Sequence, residues 1–139
     1  MAGQVSFSHS MKTWLVAASM ESNKNQIAAK VCFPPNFSAF NGHFPCQPLL
    51  PGAFLLTAIR IIAAKILAID LQPFYFENIK FKHAILPDQK IEITIRVCVD
   101  KETHILFFAV FSKSLLIATG SITCKSKQCL NHVSLPAVP

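Results

Sequence analysis

Acidic residues are scarce in this chain. Seven aspartates and glutamates stand against thirteen lysines and arginines in 139 residues, and none falls between Glu21 and Asp70. Nothing in that long stretch can act as a carboxylic acid. Charge of either sign is thin at 14% of residues, whereas 52% are hydrophobic and twelve are phenylalanine, so part of the surface is expected to be covered by another subunit or to line an acyl channel. A clean membrane-spanning run is missing too, because the longest apolar stretch is broken by Arg60 and Lys65. A soluble protein is therefore expected. The formal charge of +6 is scattered, with no basic run interleaved with aromatics, which argues against a nucleic-acid groove and for a generally basic surface. Cys32, Cys46, Cys98, Cys124 and Cys129 show no CxxC or metal-ligand spacing, and their odd number leaves at least one thiol over from any internal disulfides. Reduced thiols, a cytoplasmic location and no bound metal follow as expectations.

The length is that of one domain with a single core. Residues 1–11 read as a flexible segment. Strands are expected at about 12–20 and 26–33, joined by the turn-forming Glu21-Ser22-Asn23-Lys24-Asn25 into a hairpin. Residues 13–19 also have the length of a short signal core, but they are more simply the first strand. Between Phe33 and Phe40 the chain is too rich in proline for regular structure and too apolar for free solvation, so it is expected to pack at the mouth of a site. From Gly52 to about Ile69 nearly every position except Thr57, Arg60 and Lys65 is apolar, which predicts a helix buried on most of its circumference. Asp70-Leu71-Gln72-Pro73 reads as a linker. Strands are expected at about 74–82, 90–99, 104–112 and 114–124; Ile91, Ile93, Ile95 and Val97 alternate with Glu92, Thr94, Arg96 and Cys98, as a half-buried sheet requires. Residues 125–139 read as a tail. One long helix among strands is an α+β arrangement, with a sheet wrapped around the helix.

The chemistry concentrates just before that helix. Pro45, Pro48 and Pro51 stiffen a loop that carries His43 and runs into the helix N-terminus, where free N–H groups and a partial positive charge favour developing negative charge. From the residues alone, His43 is equally a histidine hydrogen-bonded in a turn.

Gly42-His43-Phe44-Pro45, followed by Pro48 and by Pro51-Gly52 opening an apolar helix, resembles the active-site segment of the hotdog-fold 3-hydroxyacyl-acyl-carrier-protein dehydratases. The likeness covers about residues 12–124, and its motifs are specific at 40–56. It implies a single hotdog domain, a curved antiparallel sheet around one central helix. It makes His43 the base that removes the proton beside the thioester carbonyl, and the Gly52 N–H the donor to the thioester oxygen. Thr57 falls on the position, fourteen residues after the histidine, where the family carries an acid. Phe40, Phe44, Phe54 and Arg60 are the candidate substrate contacts; Arg60 is also open to pairing with a partner's acid, to touching a phosphopantetheine phosphate, or to being a surface cation. The substrate would arrive on the phosphopantetheine arm of an acyl carrier protein or of coenzyme A, and no other cofactor is implied. Sites in the family are shared at a dimer boundary, so a homodimer or larger even oligomer is expected, with a heteromeric partner as a further option.

A hydroxyl cannot deliver a proton at neutral pH as a carboxylic acid does. Asp70 lies thirteen residues beyond Thr57, about 20 Å along a helix, and cannot substitute within one subunit. Glu77, Asp88 and Glu92 read as surface charges, His83, just before the Leu86-Pro87-Asp88 turn, as an exposed strand-end residue, and His9, His104 and His132 have no motif around them. The expected activity is dehydration of 3-hydroxyacyl thioesters in fatty acid synthesis or a related polyketide or aryl polyene pathway. The alternatives are an acyl-binding or heteromeric subunit without efficient catalysis of its own, and a hotdog thioesterase.

Overall fold

The computed structural model describes residues 14–21, 25–35 and 50–127. In chain order these form β1 (Leu15–Glu21), β2 (Gln26–Cys32), α1 (Gly52–Leu67), β3 (Asp70–Phe81), β4 (Lys90–Asp100), β5 (Thr103–Ser112) and β6 (Leu115–Lys127). The strands make one antiparallel sheet in the order β1-β2-β4-β5-β6-β3, and α1 packs against β1 through β5. This is the α+β hotdog arrangement.

Alternation builds the concave face. Ile27 pairs with Ile95, Ile95 with Phe108, and Leu106 with Ile122, and all five are buried. Against them α1 presents Leu55, Ala58, Ile59, Ile62 and Ala63, the spacing of one helix face. Trp14, Phe33 and Phe54 close the core at the start of α1, with ring centroids 5.4 to 6.1 Å apart. The helix begins at Pro51, whose carbonyl accepts from the Phe54 and Leu55 N–H groups at 3.0 and 3.2 Å. It ends at Ala68, a left-handed residue with φ 59°, and Lys65 in the last turn suits the negative end of the dipole.

Three expectations need adjusting. Residues 70–73 are no linker but the first part of β3, where Pro73 pairs opposite Cys124. Proline is tolerated there because β3 is an edge strand with one side free of ladder bonds. The last strand runs to Lys127, three residues beyond its expected end. Finally, α1 buries one face rather than most of its circumference: Ala53 and Thr57 are exposed, and Leu56 and Arg60 are partly so.

The strand β3 is unusual. Phe74, Tyr75, Phe76 and Phe81 are 60, 52, 47 and 49% exposed on a twelve-residue edge. Together with the open face of α1 they form the apolar surface that the composition led us to expect. Among the described residues no helix is long and apolar enough to cross a membrane.

Candidate active site

Two hollows lie between α1 and β3. The first, about 350 Å³, is walled by Leu50, Gly52, Leu55, Phe81, His83 and Ile85. Its geometry is set from both sides: the Leu50 N–H donates to the Ile85 carbonyl at 3.0 Å, and the Lys82 N–H to the Ile117 carbonyl at 2.7 Å. The Phe81 ring lies so close over Gly52 that an added Cβ would stand 2.8 Å from its Cζ. Glycine here permits that close approach without displacing the half-exposed Phe81 ring, and no unusual dihedral is involved. Among the described residues no acceptor takes the Gly52 N–H, as expected for the first turn of a helix that faces a hollow.

The second hollow, about 310 Å³, is walled by Leu56, Thr57, Arg60, Phe76 and Ile122, with Ala53 and Pro73 at its ends. Thr57 and Arg60 thus share one hollow, as their spacing of three residues implies. The Thr57 hydroxyl donates to the Ala53 carbonyl one turn back, at 3.0 Å. Its proton is engaged by that carbonyl. The Arg60 guanidinium reaches inward and donates to the Leu71 carbonyl at a long 3.4 Å.

Arg60 is also near Cys124. Burial pushes that thiol up to about 11, and the Arg60 charge offsets part of the effect. Cys124 therefore stays protonated and is a packing residue rather than a nucleophile. Opposite it in the sheet, His104 has a buried Nδ1 with no hydrogen-bond partner among the described residues, and burial lowers its pKa. The neutral imidazole is favoured in the fold. Protonation in the unfolded chain therefore draws stability away as pH falls below about 6.5, the ordinary histidine value. Between about pH 7 and pH 5 the melting temperature of native protein should fall more than that of His104→Leu, which differential scanning calorimetry of the two would show.

Of the expected site residues, Gly52, Thr57 and Arg60 line these hollows, while Phe54 packs edge-on against the stacked Trp14 and Phe33 rings at the start of the helix and does not wall either hollow. His43, Phe40 and Phe44, and Cys46 beside them, lie outside the described residues. That Phe76, Phe81 and His83 wall the hollows could not be read from their own neighbourhood, where nothing reveals which strand lies beside the helix. Cys32, Cys98 and Cys124 are free thiols.

Comparison with known proteins agrees with this geometry. The model of the ApeI-like family, described as ApeI dehydratase, matches residues 19–121. The 3-hydroxyacyl-[acyl-carrier-protein] dehydratase FabZ of Haemophilus influenzae (strain PittEE) is 32% identical over 100 residues, which cover 66% of this chain and 64% of that protein. The alignment thus spans a little under two thirds of that relative's length. Among solved structures, the dehydratase heterocomplex ApeI:P from Xenorhabdus doucetiae superposes with a TM-score of 0.67 at 21% identity, covering 80% of this chain and 96% of that one. A hypothetical thioesterase with coenzyme A from Streptococcus pneumoniae gives 0.64 at 13% identity, over 86% and 89% of the two chains. At these identities the structures share the fold, and the family is carried by the sequence match over most of the domain: the chain belongs to the ApeI-like dehydratases.

Proposed function

We propose that this protein dehydrates 3-hydroxyacyl thioesters presented by an acyl carrier protein in the cytoplasm, at a site shared between two subunits. The observation that carries this reading is Gly52, which sits at the mouth of a hollow with its N–H free of acceptors among the described residues, nine positions after the histidine of a Gly-His-Phe-Pro segment. An N–H at a helix start is a fitting donor to an oxygen that gains charge when the neighbouring carbon loses its proton.

In the proposed reaction His43 takes the C2 proton, the C3–O bond breaks as the double bond forms, and the hydroxyl leaves as water. Thr57 does not supply the proton, since its own is held by the Ala53 carbonyl. The imidazolium of His43 can return the one it took, so the step balances without a second acid. Phe40 and Phe44 are assigned to the acyl chain and Arg60 to the far end of the site, while Phe54, packed against Trp14 and Phe33, supports the start of α1 from the core. The basic surface suits an acidic carrier, and the phosphopantetheine arm brings the substrate without a further cofactor.

The open face of α1 and the edge of β3 support the shared site. An unpaired apolar edge of this length is a template for another strand, and a second subunit placed there would wall both hollows. The relative from Xenorhabdus, a heterocomplex, makes a non-identical partner a specific second reading. The test is to incubate purified protein with a 3-hydroxyacyl-carrier substrate and follow loss of 18 mass units, the mass of water. Turnover by the chain alone supports the reading. Turnover that appears only when a second subunit is added supports the heteromeric form, and free acid released in place of the enoyl product would make it a thioesterase.

A further inference from the structure

We propose that the outer face of β4 and β5, turned away from α1, is a contact surface for a second copy of this chain set back to back. This face lies opposite the two hollows, and nothing about it depends on the shared site.

A sheet with its core on one side is expected to carry polar side chains on the other. Strand β4 obeys, with Glu92, Thr94 and Arg96 alternating with the buried Ile91, Ile93, Ile95 and Val97. Strand β5 does not. Its buried Leu106, Phe108 and Val110 alternate with Ile105, Phe107, Ala109 and Phe111, so it is apolar on both faces. Phe107 is 38% exposed, and the Arg96 guanidinium lies over its ring at 4.7 Å from the centroid. Arg96 Nη1 also donates to Cys98 Sγ at 3.6 Å. Among the described residues neither Arg96 nor the exposed Glu92 has an ion-pair partner.

The pairing of the two strands sets these residues in three rows. Glu92 stands opposite Phe111, Thr94 opposite Ala109, and Arg96 opposite Phe107. The small middle row is flanked at equal spacing by an acid with a phenylalanine and by a base with a phenylalanine. Half a turn about the middle row therefore exchanges the outer two. A second copy related by that axis would set its Arg96 over Glu92 and its Phe107 over Phe111, and each contact would occur twice, as a closed twofold interface requires.

The dimensions allow this. Thr94 and Ala109, on the axis, are small enough for the sheets to approach to the usual separation of about 10 Å. Aligned sheets cross at about 30°, which shifts side chains about 7 Å from the axis by only about 3–4 Å, within the reach of a glutamate and an arginine. Lys30, opposite Glu92 on β2, would meet Gln26, which stands opposite Arg96, so no like charges fall in register. Because the sheet curves around α1, contact is confined to the middle strands, roughly 500 Å² on each copy and near the lower limit of about 1,000 Å² in total for a specific interface. A contact of that size is decided by its charges.

The experiment is sedimentation equilibrium of native chain, of Glu92→Arg and of Arg96→Glu, and of the two variants mixed. Each variant alone puts like charges in both contacts, so the dissociation constant should rise by about a hundredfold and the sedimenting mass should fall to half the native value. An equal mixture restores opposite charges at both contacts and should regain the native mass. Thr94→Arg, which keeps both charges and crowds the axis, should halve the mass as well, so the outcome does not hang on the folding of either charge variant. A monomeric native chain, or native mass kept by both charge variants, overturns the proposal and leaves the face to water or to a different partner. So does native mass kept by Thr94→Arg. So does a mixture that stays at half mass although both variants melt within about 4 °C of native.

Discussion

Replacing His43 with alanine should lower dehydration of a 3-hydroxyacyl thioester by about a hundredfold to ten-thousandfold, the usual consequence of removing a general base. The effect should sit at the high end of that range, because the imidazole is asked to serve twice. In the proposed reaction it would remove the C2 proton and, once charged, give it to the departing hydroxyl. The comparison that makes this specific is Thr57→Val. The Thr57 hydroxyl already donates to the Ala53 carbonyl, so its loss should cost less than about tenfold. Steady-state turnover of both variants, read by product mass on the carrier, separates the two outcomes. Equal losses would mean that Thr57 takes part in proton transfer and that its bond to Ala53 is broken when substrate binds.

Gly120→Val should be the most damaging single change to the fold. On β6, a Cβ at Gly120 would stand 3.0 Å from Phe108 Cζ and 3.1 Å from the Ile79 Cα. The second of these is backbone and cannot swing aside. Overpacking a close-packed interior costs about 1–3 kcal/mol, and the branched side chain puts this variant at or above the top of that range. Its urea midpoint should fall accordingly with little change in slope. Because Ile79 belongs to β3, the strain falls on the strand that walls both hollows, and acyl-thioester binding should weaken along with stability. An unfolding free energy within about 0.5 kcal/mol of native, from midpoint and slope together, would show that β3 yields easily at this point.

How much of this could be read from the residues differs by element. The β4 alternation of Ile91, Ile93, Ile95 and Val97 declares its buried face outright, and all four are buried. The β5 run around Phe107 and Phe108 reads as a central strand and is flanked on both sides. Gly52 and Thr57 were legible because a short motif fixes their distance from His43. Strand β3 was not, for a physical reason. Its pairing with β6 shifts register between Pro73 and Tyr75 and again between Glu77 and Lys80, and Asn78 takes a left-handed φ of 57°. Strict alternation from Leu71 would turn Tyr75 and Glu77 toward the helix; the shifts bring Phe76 and Phe81 there, opposite Ile122 and Ala118. Bulges are set by the partner strand as much as by the strand itself, so a single chain read along its length does not disclose them. Pro73 misleads in the same way, since whether a proline suits a strand depends on the strand's place in the sheet.

An edge with four large aromatic side chains open to water is adhesive until it is covered. A strand left open in this way is also a template for another strand, so on the reading proposed above a subunit that covers β3 would remove the protein's most adhesive surface as well as close the two hollows.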